Sequence, residues 1–317
     1  MSLKQWETYY RGGALATCPT APDGGYDFEV RAAWVEFFST QPDGARILDI
    51  GTGNGVVALI ALETAAQLGR NWEIHGIDLA AIDPPRFVAD GERRFAGITF
   101  HAGVAMERLP FDDASFDAVG GHYALEYAAD SSRALSEIHR VLKTGGDCQF
   151  VLHHPDSVFM RSAQAAMREA ELVFTQTKIF RRLHRLVAMD QVVPGATERA
   201  STELRAAIRA LKQALQQAQV SGGGRVLSVA LNAVQTLLVA RKEMQPHAAA
   251  LKVDRAEADL RASVRGLSDL IEHARGPEDM DKLEREAAAA GFSLIEHMPL
   301  YHAAQNLVGW QLLLHRP

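Results

Sequence analysis

Between residues 41 and 155, short β-rich runs alternate with helical patterns. That alternation restricts the chain more than any other feature, because strands joined by helix-length crossovers pair in parallel and bury both faces of their sheet under helices. The runs are 45–50 (ARILDI), 72–78 (WEIHGID), 98–103 (ITFHAG), 116–122 (FDAVGGH) and 147–154 (DCQFVLHH). Helical stretches occupy 56–68, 84–95 and 131–142, the last closed by Lys143-Thr144-Gly145-Gly146 as cap and turn. After His154 the pattern changes. From 157 to 274 the chain is rich in Ala, Leu, Arg, Glu and Gln, and Leu204, Ile208, Leu211 and Leu215, like Leu260, Val264, Leu267 and Ile271, recur at helical spacing. Four helices are expected there, with breaks at Val193-Pro194-Gly195, at 221–224 from Ser221, and at Gln245-Pro246. From Pro277 the α/β alternation resumes as a helix to Ala290, stopped by Gly291, and strands at 292–298 and 308–315.

The sharpest local signal follows the first strand. Asp49-Ile50-Gly51-Thr52-Gly53-Asn54-Gly55 puts three glycines between a buried strand and a helix. Such a turn needs φ/ψ values that a side chain opposes, and it lets backbone approach a ligand without a Cβ in the way. A dinucleotide fingerprint of the form GxGxxG requires glycine at 56; Val56 stands there, which disfavours pyrophosphate binding. The second strand ends at Asp78, a carboxylate at the carboxyl edge of the sheet, suited to accept hydrogen bonds from both hydroxyls of a ribose.

These residues resemble the class I S-adenosylmethionine-dependent methyltransferases, whose first motif is similar to the run from Asp49 to Gly55 and whose second-strand acid matches Asp78. Two further stretches extend the resemblance in the right order: Glu107-Arg-Leu-Pro110-Phe-Asp-Asp-Ala-Ser-Phe116-Asp117, and Ala134-Leu-Ser-Glu137-Ile-His-Arg140-Val-Leu-Lys-Thr-Gly145-Gly146. It covers residues 45–155, with weaker support from Leu283 to Phe292 and the final strand, and none in the helical block. The resemblance implies a Rossmann-like α/β fold, a seven-stranded, mostly parallel sheet with an antiparallel last strand, here carrying a large all-helical insertion after strand five. It implies that Asp49, Gly51, Thr52, Gly53, Asn54 and Gly55 pass beneath the methionine part of S-adenosylmethionine, that Asp78 with Leu79 holds the ribose, and that Met106 and Glu107 flank the adenine. It also implies that His122 and Tyr123 close the pocket, and that S-adenosylhomocysteine is the product. Many relatives carry an acid just before this third loop's Ala-Glu, whereas Gly103-Val104-Ala105-Met106-Glu107 has none there.

Acceptor-side groups belong at the carboxyl ends of strands four and five, because open α/β sheets bind ligands outside that edge. His122, Tyr123, Glu126 and Tyr127 follow strand four, and His153 and His154 end strand five. Methyl transfer to a hydroxyl or a protonated amine is helped by a base of near-neutral pKa, so His153, His154 and Glu126 are the catalytic candidates. Strand alternation sends the two histidines to opposite faces, so with Asp156 they make no metal site. Glu126 has a second reading as a cap of the following helix. Trp6, Tyr9, Tyr10 and Tyr26, interleaved with Gly12, Gly13, Gly24 and Gly25, form either a lid over the cofactor or a strap packed on the sheet.

Charge and absences narrow the rest. There are 33 Lys and Arg against 39 Asp and Glu, a net charge of −6, the wrong sign for a surface covered in phosphate contacts. The segment Lys178-Ile-Phe-Arg181-Arg182-Leu-His184-Arg185 is a local exception, read as a solvated helix face or as a site for RNA or an acidic substrate. Gly120-Gly-His-Tyr stands where DNA adenine and cytosine amino-methylating enzymes carry Asn/Asp-Pro-Pro-Tyr/Phe, and no Pro-Cys follows strand four. Two cysteines, Cys18 and Cys148, suit a reducing compartment. The first twenty residues lack a signal-peptide core, and the charge-free stretch 226–240 falls short of the ~20 residues of a membrane span and reads as a buried helix. A cytoplasmic protein with no membrane association is expected.

The sequence thus predicts an N-terminal lid or helical segment at 1–40, a cofactor-binding domain formed by 41–155 and 277–317, and a helical insertion at 156–276 that serves as a cap or as a homodimer interface. The activity expected is methyl transfer to an oxygen or nitrogen of a small-molecule acceptor. The alternatives are an RNA methyltransferase using the basic helix and a non-catalytic cofactor-binding or interaction module.

Overall fold

The computed structural model describes every residue except 1, 2, 23, 190–194, 221 and 304, and the side chain of Leu294. Val193, Pro194 and Ser221, expected from the sequence to form interhelical breaks, lie outside the described residues. The chain divides into an α/β unit, Met1–Met160 with His273–Pro317, and a helical unit, Arg161–Glu272.

In chain order the elements are α1 (Leu3–Arg11), α2 (Phe28–Ser39), β1 (Arg46–Ile50), α3 (Val56–Leu68), β2 (Glu73–Asp78), α4 (Pro84–Phe87), α5 (Gly91–Arg94), β3 (Ile98–Ala102), β4 (Phe116–His122), a 3-10 turn (Leu125–Tyr127), α6 (Ser131–Val141) and β5 (Leu142–His153). Then come α7 (Val158–Glu171), a π-turn (Leu172–Gln176), α8 (Ile179–Val187), α9 (Ala196–Val220), α10 (Arg225–Ala240), a 3-10 turn (Arg241–Glu243) and α11 (Pro246–His273). The chain ends with α12 (Pro277–Ala290), β6 (Leu294–His302) and β7 (Asn306–His315). The sheet order is β3-β2-β1-β4-β5-β7-β6. β1 to β5 run parallel, and β7 lies antiparallel between β5 and β6, as the resemblance implies.

Burial on both faces explains why the central strands read as nearly continuous apolar runs. On one face Leu48, Ile50, Val119, Phe150, Leu152, Leu312 and Leu314 pack with Leu135 and Ile138 of α6 and Met280 and Leu283 of α12. On the other, Trp34 of α2 lies against β4, which is possible because Gly120 has no side chain; a Cβ there would sit 2.9 Å from the indole. The helical unit has its own core, built on Val173, Phe180, Leu183, Leu204, Leu211, Val234 and Val253.

Four expectations need correction. The helix at 84–95 is two short helices, because Val88 is extended and Asp90 sits at φ 55 between them. The Gly145-Gly146 pair is not a free turn: α6 stops at Val141, β5 begins at Leu142, and the pair is held by Arg316, whose carbonyl accepts from the Gly145 amide and whose amide donates to Gly146. Among the described residues five α-helices, not four, occupy 157–274, since α7 and α8 are separated by the π-turn and by Lys178 at φ 48, a break that no glycine or proline announces. The stretch 226–240 is a one-sided helix: Val226, Leu227, Ala230, Val234 and Leu237 are buried, but Val229 and Val239 are exposed. Among the described residues no helix is long and apolar enough to cross a membrane.

The turn after β1 depends on a backbone that only glycine adopts without strain. Gly55 sits at φ 84, and a Cβ there would lie 2.8 Å from the Phe100 ring. Gly55→Ala is expected to destabilise the α/β unit by about 1–3 kcal/mol, read as a lower midpoint in denaturant unfolding. An unchanged midpoint would mean that the turn relaxes around the methyl group.

Candidate active site

The glycine turn is held from below by two buried acids. Oδ2 of Asp49 accepts from the Thr52 hydroxyl (2.6 Å) and from the Ala58 amide in the first turn of α3 (3.1 Å), locking loop to helix. Asp78, at the end of β2, accepts from the Gly53 amide through Oδ2 (2.9 Å) and from the Ala80 amide through Oδ1 (2.8 Å). Gly51, Gly53 and Gly55 all have positive φ, which is why the turn needs glycine at those positions. Burial pushes Asp49 up to about 7 and Asp78 up to about 6, against the lowering effect of their hydrogen bonds. Oδ1 of Asp49 has no partner.

Above the turn lies the N-terminal segment. The Asn54 amide donates to the carbonyls of Tyr10 (2.9 Å) and Ala14 (2.7 Å), so this residue ties the segment down. Tyr10 covers Gly53, whose notional Cβ would be 2.8 Å from the ring. Trp6 stacks on Tyr10 at 5.7 Å and meets Tyr9 and Tyr127 edge-on. Tyr26 is not in that cluster: it stacks on His122 at 4.2 Å.

Several residues assigned to the cofactor make contacts within the protein. Glu107 accepts from the amides of Ala129 (2.7 Å) and Asp130 (3.4 Å) just before α6, so its carboxylate is turned to that helix. Met106 packs against the core under α6 and α12. Leu79, beside Asp78, is exposed. His122 accepts from the Trp34 indole through Nδ1 (3.0 Å), and burial holds its pKa well below the usual value, so the ring is neutral. Tyr123, at φ 53, donates to the Val308 carbonyl (2.9 Å) and stacks on His153 at 3.8 Å.

The three catalytic candidates separate by environment. Glu126, in the 3-10 turn after β4, accepts from the His153 amide through Oε1 (2.9 Å), while its carbonyl accepts from Arg275 (2.7 Å). Its Oε2 is buried without a partner, and burial pushes the carboxyl up to about 7. His153 is buried with Nδ1 unpartnered, and burial pushes it down to about 3. His154 faces the other way: its Nδ1 accepts from the Asp156 amide (2.9 Å), and its ring packs on Trp310. The two histidines diverge as strand alternation requires, and Glu126 does not cap a helix.

Sequence reading named Tyr127 only by its place after strand four, and it passed over Trp34 and Arg275 as site residues. Tyr127 lies edge-on to His153 and stacks on His273 at 4.3 Å, with its hydroxyl buried and unpartnered. Its position after strand four was the available signal; nothing local marks Arg275 or Trp34. Among the described residues the ligand atoms of Asp27, Glu29 and His302 come within 4.8 Å of one another, but Asp27 caps α2 through the Val30 amide and pairs directly with His302.

The methyltransferase domain family matches residues 48–150, within the α/β unit. A ubiquinone/menaquinone biosynthesis C-methyltransferase from Geobacter sp. (strain M21) is 39% identical over 103 residues, covering 32% of this chain and 42% of that protein. A demethylmenaquinone methyltransferase from Symbiobacterium thermophilum is 38% identical over 109 residues, covering 32% of this chain and 40% of that protein. Among solved structures, an S-adenosylmethionine-dependent methyltransferase from Mesorhizobium loti shares 27% identity over 39% of this chain and 54% of that chain, with a TM-score of 0.30. The chain spans about half the length of the curated relatives it matches.

The raised pKa of Glu126 has a measurable consequence for stability. A carboxyl whose folded pKa exceeds its unfolded one stabilises the fold while protonated, and that contribution is lost as pH rises through about 7. Glu126→Gln keeps the acceptor for the His153 amide and removes the charge. It is expected to raise the thermal midpoint at pH 8, by an amount corresponding to about 3 kcal/mol, and to leave it nearly unchanged at pH 4.5. Equal shifts at both pH values would place the carboxylate in solvent.

Proposed function

We propose, from the premise that the α/β unit is a class I S-adenosylmethionine-dependent methyltransferase domain, that this chain transfers the methyl group of S-adenosylmethionine to a small-molecule acceptor and leaves S-adenosylhomocysteine. The observation that carries the reading is the glycine turn clasped by Asp49 and Asp78. The residues fit the cofactor: each Asp78 oxygen is met by one backbone amide and keeps a further lone pair for a ribose hydroxyl. The same two carboxylates favour a cationic ligand and oppose a pyrophosphate. When bound, S-adenosylmethionine supplies an electrophilic methyl group on a sulfonium sulfur.

The chain's own residues supply position and a base. Glu126 is the better base of the three candidates, because a pKa near 7 combines an available ionised form with real proton affinity, whereas a histidine held near 3 is too weak to take a proton. His153 stays neutral and offers its unpartnered Nδ1 as a hydrogen-bonding group to the acceptor. His154, committed to Asp156 and Trp310, is left out of the chemistry. Tyr26, Tyr123, Tyr127 and His122 wall this region with rings and suit a flat acceptor. The relatives' names include carbon methylation, so the acceptor atom extends from oxygen or nitrogen to a carbon made nucleophilic by ionising an adjacent hydroxyl. All of these begin with loss of a proton.

Methylation of RNA through the basic helix is the weaker reading. Arg182 and Arg185 both lie 3.5 Å from Glu203, and His184 lies 3.5 Å from Asp254, so much of the run is matched by carboxylates of its own unit.

Two measurements test the assignment. Asp78→Ala is expected to weaken S-adenosylhomocysteine binding by roughly 1.5–3 kcal/mol in calorimetric titration; unchanged affinity removes Asp78 from the site. In a product-release assay against phenolic and quinol acceptors, Glu126→Gln is expected to lower kcat at least about 100-fold while leaving cofactor affinity intact. The native kcat should rise with pH and level off above about 7, as Glu126 ionises. His154→Ala should leave kcat unchanged. Cofactor binding with no turnover on any acceptor would favour a non-catalytic binding module.

A further inference from the structure

We propose that the helical unit carries a binding site for a small aromatic anion, an aryl phosphate or aryl carboxylate, in the cavity between the π-turn, α8 and α11. The cavity measures about 240 Å³, fragment-sized beside ordinary ligand pockets, and is lined by Phe174, Lys178, Phe180, Arg181, Glu257 and Arg261. Three cations share the lining with one carboxylate, Glu257, whose Oε1 accepts from both Nε (2.8 Å) and Nη2 (2.6 Å) of Arg261. The pairing holds the Arg261 guanidinium 4.0 Å from the centre of the Phe174 ring. Lys178 and Arg181 have no acidic partner among the described residues, in contrast with Arg182 and Arg185 on the same helix, which share Glu203. Unmatched positive charge is therefore concentrated at the cavity, not spread along the basic run.

The backbone at the cavity is unusual in a way that packing alone does not require. A π-turn replaces one turn of α-helix at Leu172–Gln176, a geometry found frequently at functional sites. Lys178 follows at φ 48, a conformation that costs free energy for a residue with a side chain. The Thr177 hydroxyl fixes the arrangement by donating to the carbonyls of Leu172 (2.8 Å) and Val173 (3.1 Å). Its effect is to put Phe174 on the wall of the cavity and Lys178 at its rim. Phe174 and Phe180 lie 6.1 Å apart with their planes 23° from parallel, and their rings line the cavity together with the three cations, so a ligand there meets both aromatic carbon and positive charge.

The test is calorimetric titration of the full chain, with saturating S-adenosylhomocysteine to occupy any nucleoside site, using phenyl phosphate, benzoate and inorganic phosphate as probes. Phenyl phosphate is expected to bind saturably and at least tenfold more tightly than inorganic phosphate. The Lys178→Gln/Arg181→Gln double variant should weaken it at least tenfold, with an unchanged thermal midpoint in the absence of probe. Three outcomes would overturn the proposal: no saturable binding of either aryl anion, equal affinity for phenyl phosphate and inorganic phosphate, or undiminished binding by the double variant.

Discussion

The bond from the Gly53 amide to Asp78 sets the distance between the glycine turn and the second strand, and most of the site follows from it. It brings a second carboxylate near Asp49, and both are buried, so the charge of Asp78 raises the pKa of Asp49 beyond what desolvation does alone. A few backbone amides do not offset the cost of charge on both acids, which is why each holds a proton to higher pH than a free carboxyl. A ligand that arrives with hydroxyl donors and positive charge relieves this arrangement, and one that arrives with phosphates aggravates it. The proposed preference for a sulfonium nucleoside over a dinucleotide is in this sense electrostatic before it is a matter of shape, and it agrees with the valine at 56 that breaks the dinucleotide spacing.

The same turn is engaged from its other side. Asn54 binds the N-terminal segment through two carbonyls, and Tyr10 covers Gly53. A ligand seated on Gly53 must take the place of the Tyr10 ring, at a cost of about 1.5–3 kcal/mol for a side chain of that size brought back to water. On the proposed function, cofactor affinity and the docking of residues 3–14 are therefore coupled. The aromatic cluster of Trp6, Tyr9 and Tyr10 with Ala80 and Ile82 is what the covered state gains.

The sheet was legible because its determinants are local: short, nearly continuous apolar runs, the glycines of the turn, and acids at strand ends. Legibility failed where distant residues decide. Gly145 and Gly146 look like a turn until Arg316, from the far end of the chain, pairs with them. The break before α8 is made by Lys178 in a left-handed conformation, which composition does not advertise. In the acceptor region the sequence supplied Glu126, His153 and His154 as equals. Their separation rests on burial and on which nitrogen or oxygen is already bonded, quantities that exist only once Arg275, Trp310 and Asp156 are in place. The contact of Glu107 with the amides before α6 was hidden for the same reason, since residues some twenty positions away provide it.

Burial on the acceptor side also constrains where a proton can go. Around Glu126 the rings of Tyr123 and His153 are stacked, the tyrosine hydroxyls are pushed up, and the Cys18 thiol is pushed up to about 12. None of these groups accepts a proton near neutrality: the tyrosines and the thiol already hold theirs, and His153, near 3, does not compete with a carboxylate near 7. In the proposed reaction, a proton taken from the acceptor stays on Glu126 until solvent reaches it. The protonated carboxyl is the form that burial prefers, so the dry surroundings that make Glu126 costly as an anion also raise its basicity, and on that proposal product departure with entry of water resets it.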